Sequence, residues 1–103
     1  MTKTYKPEIT ATAEADVTEI WEYISHDNAD AATAFILRLE NSIDTLENFP
    51  ERCPRIPETH LLGGEYRHLL LGQYRIIFRI DGDRVIVKRV LHGARLLDMG
   101  MLD

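Results

Sequence analysis

Residues 66–95, YRHLLLGQYRIIFRIDGDRVIVKRVLHGAR, constrain this chain more than any other stretch, because they read as three consecutive antiparallel strands. Residues 66–71 are rich in β-formers and end at Gly72-Gln73, two residues with Gly first, as a type II′ hairpin turn prefers. Residues 74–80 make the second strand. Asp81-Gly82-Asp83 follows, where Asp-Gly supplies the positive φ of a second turn. Residues 84–91 make the third. Period-two alternation puts Tyr74, Ile76, Phe78 and Ile80 on one face of the middle strand and Arg75, Ile77 and Arg79 on the other. The expectation is one face built for a core and one bearing guanidinium groups.

Upstream the period changes to that of helices. Thr12 reads as an N-cap, with Glu14 and Asp16 in the first turn, where the helix dipole favours anions. Val17, Ile20, Trp21 and Ile24 follow at i, i+3, i+4, i+7, one apolar stripe, with Glu19 and Glu22 on the polar side. His26-Asp27-Asn28 breaks this helix, and Asp27 or Asn28 caps a second. The second stripe is Ala32, Phe35, Ile36, Leu39, Ile43 and Leu46, stopped by Phe49-Pro50. Trp21 and Phe35 read as packing residues. Two helices joined this tightly form an antiparallel hairpin, whose apolar side needs the apolar face of the sheet. Residues 4–10 alternate weakly and suit an edge strand, given Pro7. Residues 50–65 hold three prolines, a Gly pair and five charged residues, and read as a long irregular crossover. Residues 99–103 read as a short frayed end, with Leu96, Leu97 and Met99 able to pack on the body. The expected fold is α+β, a single domain over 1–103 in the order β-α-α-β-β-β, with a helical hairpin on a small antiparallel sheet.

Composition narrows the chemistry. Hydrophobic residues at 45% and charged residues at 28% suit a soluble domain. No apolar run approaches the roughly 20 residues of a membrane helix, and MTKTYKPEIT does not read as a signal peptide. The expectation is a cytoplasmic protein with no membrane partner. The single Cys53 fits a reducing compartment and, with no His motif or helix N-terminus beside it, is no candidate nucleophile. Four scattered histidines (26, 60, 68, 92) show no metal-ligand spacing, and Gly63-Gly64 has no phosphate-loop context, so neither a metal nor a cofactor is expected. Charge is lopsided: residues 1–50 carry a net −7 and residues 51–95 a net +4. The meander is therefore expected to carry the basic surface.

Four segments, ADVTEIWEYIS, NADAATAFILRLENSIDTLENFPER, YRIIFRI and RVLHGAR, resemble the RelE/ParE superfamily of toxins from bacterial type II toxin–antitoxin systems. With the order of elements, the likeness covers nearly the whole chain. It implies a small toxin held inactive by a cognate ParD-like antitoxin that wraps it. The superfamily holds two chemistries. RelE-like members cut mRNA on the ribosome; ParE-like members are not nucleases, and characterised ones bind and inhibit DNA gyrase.

RNA cleavage by the 2′-OH needs a general base, an acid for the leaving oxygen and cations for the phosphorane. Ribosome docking favours a strongly basic protein. This chain has a pI near 5.3 and three lysines (3, 6, 88), none within 51–80. The ParE-like branch is therefore favoured, with no direct sequence-specific nucleic-acid binding. Under the RelE-like alternative the resemblance points to Glu58 as base, Arg75 as phosphate ligand and His92 as acid. Arg75 and Arg79, on one strand face, can reach one phosphate or one carboxylate. Under the ParE-like reading, Arg67, Arg75, Arg79, Arg89, His92 and Arg95 are the residues expected to meet the target or the antitoxin. His68, beside Arg67, can point to either face.

Overall fold

A computed structural model describes residues 3–58, 65–93 and 102. Its elements are β1 (Lys6–Ile9), α1 (Ala11–Asp27), α2 (Ala29–Asp44), β2 (Arg67–Leu71), β3 (Tyr74–Asp81) and β4 (Arg84–His92), with 3₁₀ turns at Thr45–Glu47 and Pro50–Arg52. The sheet order is β1-β4-β3-β2. The meander is antiparallel, as its short turns require, while β1 runs parallel to β4, so the sheet is mixed. Both hairpins close through two residues, Gly72-Gln73 and Gly82-Asp83, with the glycines at φ 57° and 63°. The second turn is thus shorter than Asp81-Gly82-Asp83, because Asp81 pairs with Arg84 as the last rung of the ladder.

Capping fixes how the helices leave the sheet. The N-cap of α1 is Thr10 and not Thr12: its Oγ1 accepts from the Ala13 amide at 3.1 Å and donates to the Lys88 carbonyl at 3.3 Å. The Thr10 N–H also donates to the Val87 carbonyl. One residue therefore caps a helix and continues the β1–β4 contact, which Thr12 is too far along to do. Asn28 closes α1 through its N–H to the Ile24 carbonyl and opens α2 through Oδ1, which accepts from the Ala31 amide. The helical hairpin needs no linker.

Its apolar side covers one face of the sheet. Ala13, Phe35, Leu39 and Leu46 pack with Ile76, Phe78, Val85, Val87 and Val90 in the main core, and Val17, Ile20, Ile24, Ile36 and Ile43 flank it. Burying Phe78 fully contributes about 2–3 kcal/mol. Trp21 does not join: it stays 40% exposed. At 100° per residue it lies roughly 80° round α1 from the centre of the buried positions, at the margin of the stripe. The side of the stripe away from Trp21 is taken by Asp16, which is buried.

The second face departs from expectation. Ile77 and Leu91 form a smaller core with Ile56 and Leu102, flanked by Tyr66. Ile56 comes from the crossover, which is pinned to β2 by the Ile56 N–H to the Tyr66 carbonyl and the His68 N–H to the Pro54 carbonyl. The sheet thus carries packed residues on both sides. A bulge on β4 arranges this: Ile77 pairs with Arg89 and Phe78 with Val87, leaving Lys88 as the extra residue. Parity reverses there, so Val85, Val87 and Val90 share the main core while Leu91 enters the other. The proposed packing of Leu96, Leu97 and Met99 lies outside the described residues.

Candidate functional site

Arg75 is the second residue of β3, on the face shared with Ile77. Its Nη1 and Nη2 donate to Oε1 and Oε2 of Glu58 at 3.1 and 3.0 Å. The bidentate geometry uses both carboxylate oxygens on one guanidinium, and both residues are buried, at 5% and 7% exposure. Arg75 is therefore no part of an exposed basic surface. The pair bolts the crossover onto the sheet, next to Ile56. His68, opposite Ile77 in the register, shares this face. Burial pushes its pKa down, the Arg75 charge pushes it further and Glu58 pulls it back, while its Nδ1 has no hydrogen-bond partner among the described residues.

The sequence signals for the other arginines resolve into separate jobs. Arg89 donates through Nε to Asp16 Oδ2 at 2.7 Å and through Nη2 to Oδ1 at 2.8 Å. Asp16 Oδ2 also accepts the Val90 N–H at 3.0 Å, satisfying β4 where β1 has ended. Arg67 donates to the Glu51 and Cys53 carbonyls and to Glu65, and its side chain is largely covered. Arg79 is half-exposed and 3.8 Å from Asp81. Arg95 lies outside the described residues. The expected single basic face is thus corrected: Arg67, Arg75 and Arg89 are spent on internal bonds, leaving Arg79 as the candidate arginine most open to solvent among the described residues.

His92 is exposed and belongs to the other side of the sheet. It pairs with Tyr74, whose ring it meets edge-on at 5.7 Å, and Tyr74 in turn packs on Phe35 at 5.1 Å. Its Nε2 lies 3.4 Å from Gln73 Oε1. The structure therefore joins Glu58 to Arg75 and places His92 on the helix side. Cys53 is buried, and burial raises its thiol pKa against the lowering pull of Arg52 and Arg67, which suits an inert side chain.

Between β1 and the helical hairpin runs a groove of about 500 Å³, floored by Pro7, Ile9, Val17, Ile36, Leu39 and Ile43 and rimmed by Glu8, Glu14, Glu40 and Asp44. No cation lines it among the described residues. Sequence reasoning treated its apolar residues as core and missed the groove, since periodicity cannot tell a covered stripe from a half-covered one. It also missed Asp16, which reads as an ordinary first-turn acid.

The ParE toxin of the type II toxin–antitoxin system parDE is the family whose model matches, over residues 8–97. Among solved structures, the fold is similar to a chain of the chromosomal ParDE toxin–antitoxin system from P. aeruginosa, with 18% identity, TM-score 0.69, and 86% of this chain and 96% of that chain covered. It is also similar to a chain of the RelBE2 toxin–antitoxin complex from Mycobacterium tuberculosis, with 22% identity, TM-score 0.59, and 86% and 98% covered. No curated protein matches in sequence. The meander, the helical hairpin and the match across residues 8–97 together make this chain a member of the ParE toxin family of type II toxin–antitoxin systems.

Proposed function

We propose that the chain acts by binding a protein target, DNA gyrase, and not by cutting RNA, and that a cognate antitoxin neutralises it in the cytoplasm. One observation carries the non-nucleolytic reading. Sheet parity puts the Glu58–Arg75 pair on one face and His92 on the other, so base, phosphate ligand and acid do not converge on one reacting phosphate. Glu58 would have to release a buried guanidinium before taking a proton. The acidic pI near 5.3 adds to this, because a ribosome-bound nuclease gains from positive charge. The choice of gyrase rests on the ParE family match and on what that family implies.

The antitoxin reading is supported by the groove along the helical hairpin and by the neighbours, which come from toxin–antitoxin assemblies. An extended or helical segment with apolar anchors fits the floor. The acidic rim asks for basic side chains at its flanks. The test is a supercoiling assay with purified toxin, gyrase and added antitoxin, run beside primer extension on mRNA from toxin-expressing cells. Lost supercoiling, restored by antitoxin, with uncut mRNA is the expected result. Normal supercoiling with excess toxin rejects gyrase, and codon-phased cuts in mRNA reject the non-nucleolytic reading altogether.

A further inference from the structure

Phe49 breaks a local rule that the other described non-glycine residues obey. It sits in the left-handed region at φ 48°, ψ 59°, and is the one non-glycine residue with positive φ among those described. A bulky side chain there is strained, whereas Gly or Asn accepts the conformation readily. Asn48 stands next to it and stays extended at φ −116°. Burial does not repay the strain, because Phe49 is 60% exposed.

The surroundings hold the backbone of this turn in place. Arg52 Nη1 donates to the carbonyls of Asn48 at 2.7 Å and Phe49 at 3.1 Å, and its Nη2 donates to Thr45 Oγ1 at 2.9 Å. Asn48 is bridged to Thr4, and the Tyr5 N–H donates to the Glu47 carbonyl at 2.9 Å. Pro50 fixes its own φ and narrows the backbone choices of Phe49 before it. A turn whose backbone is fixed from both sides leaves an aromatic side chain 60% exposed to solvent. Backbone strain maintained by the surrounding structure, with the bulky group turned to solvent, is the pattern of a residue kept for recognition.

We propose that Phe49 is an aromatic anchor that enters an apolar pocket on the toxin's folded protein target; this rests on reading the chain as a protein-binding toxin. Shape selects that occupant. A peptide wrapping the toxin finds its concave site in the groove between β1 and the hairpin, and it offers no pocket to a protruding ring. A folded partner does, and an aromatic side chain with two χ angles on an already fixed backbone loses little entropy on docking.

The test compares the wild type with Phe49→Asn and Phe49→Tyr in three measurements: thermal unfolding, antitoxin affinity, and growth arrest on expression without antitoxin. Phe49→Asn is expected to melt at the same temperature or higher and to bind antitoxin within about twofold, yet to lose growth arrest, with target inhibition down about tenfold or more. Phe49→Tyr keeps arrest. Arrest by Phe49→Asn at wild-type strength overturns the proposal. So does an equal loss of antitoxin binding, which would place the ring in that interface, or wild-type self-association abolished by Phe49→Asn, which would seat it in a second copy. A wild type that arrests growth without touching gyrase removes gyrase alone, and the comparison in cells still decides Phe49. A wild type that arrests nothing overturns both.

Discussion

Glu58→Ala tests the most consequential contact in the molecule. The substitution leaves Arg75, 5% exposed, without its bidentate acceptor. Removing one partner of a buried pair costs about 3–5 kcal/mol, because the remaining charge stays desolvated. A domain of this size has roughly 5–15 kcal/mol in hand, so the variant forfeits about a fifth or more of its stability. In thermal unfolding that is a fall on the order of 15–30 °C. Replacing both partners, Glu58→Leu with Arg75→Met, should recover most of the loss, since two apolar side chains carry no desolvation penalty in that site. The two variants together separate the cost of an orphaned charge from the worth of the pair. Urea unfolding followed by far-UV circular dichroism measures both. A loss below about 1 kcal/mol for Glu58→Ala would mean that water reaches the pair as it reaches a surface ion pair, and the argument against a working Glu58 base would go with it.

Three further outcomes follow from other contacts. Asp16→Ala strands both Arg89 and the Val90 N–H, and should cost about 2–4 kcal/mol by urea unfolding, with Asp16→Asn recovering part by keeping one acceptor. His68 has a folded pKa below its ordinary 6.5, so between the two values the unfolded chain binds a proton that the folded chain refuses. Its contribution is complete above pH 6.5 and declines as pH falls through that window; His68→Leu should flatten the acid side of the stability profile measured by denaturation from pH 7 to 5. Glu40→Lys on the groove rim should weaken antitoxin binding about tenfold at low salt and less at high salt, with the melting temperature unchanged, as titration calorimetry at two ionic strengths would show.

Much of the fold was legible because its signals are local. Gly72 and Gly82 mark their turns, Asn28 divides the helices, and the alternation of Tyr74, Ile76, Phe78 and Ile80 names the core face. What escaped is whatever depends on two distant segments meeting. Asp16 is an ordinary helical acid until β1 stops short and leaves the Val90 N–H to be satisfied. Glu58 sits in a proline-rich crossover that has no period to read, and the packing of Ile56 with the crossover's backbone bonds at Tyr66 and His68 brings it to Arg75. Trp21 was drawn to the core by its hydrophobicity, though the geometry of α1 leaves it at the margin.

The bulge at Lys88 turns these details into a functional argument. In an unbroken strand, Val85, Val87, Arg89 and Leu91 would share a face, which would send a guanidinium into the main core. One extra residue reverses the parity: Val90 takes the core position, Leu91 faces Arg75 and Ile77, and His92 falls beside Tyr74. Undoing the bulge would carry His92 across to the Glu58–Arg75 side, while stripping Val90 from the core. Deleting Lys88 would remove the extra residue yet leave Val90, Leu91 and His92 on the faces they now occupy, so it is no route to a convergent site. Stability selects the register, and that register keeps the three groups a nuclease would need on opposite faces of the sheet. The placement of the β4 valines thus supports the proposed non-nucleolytic reading.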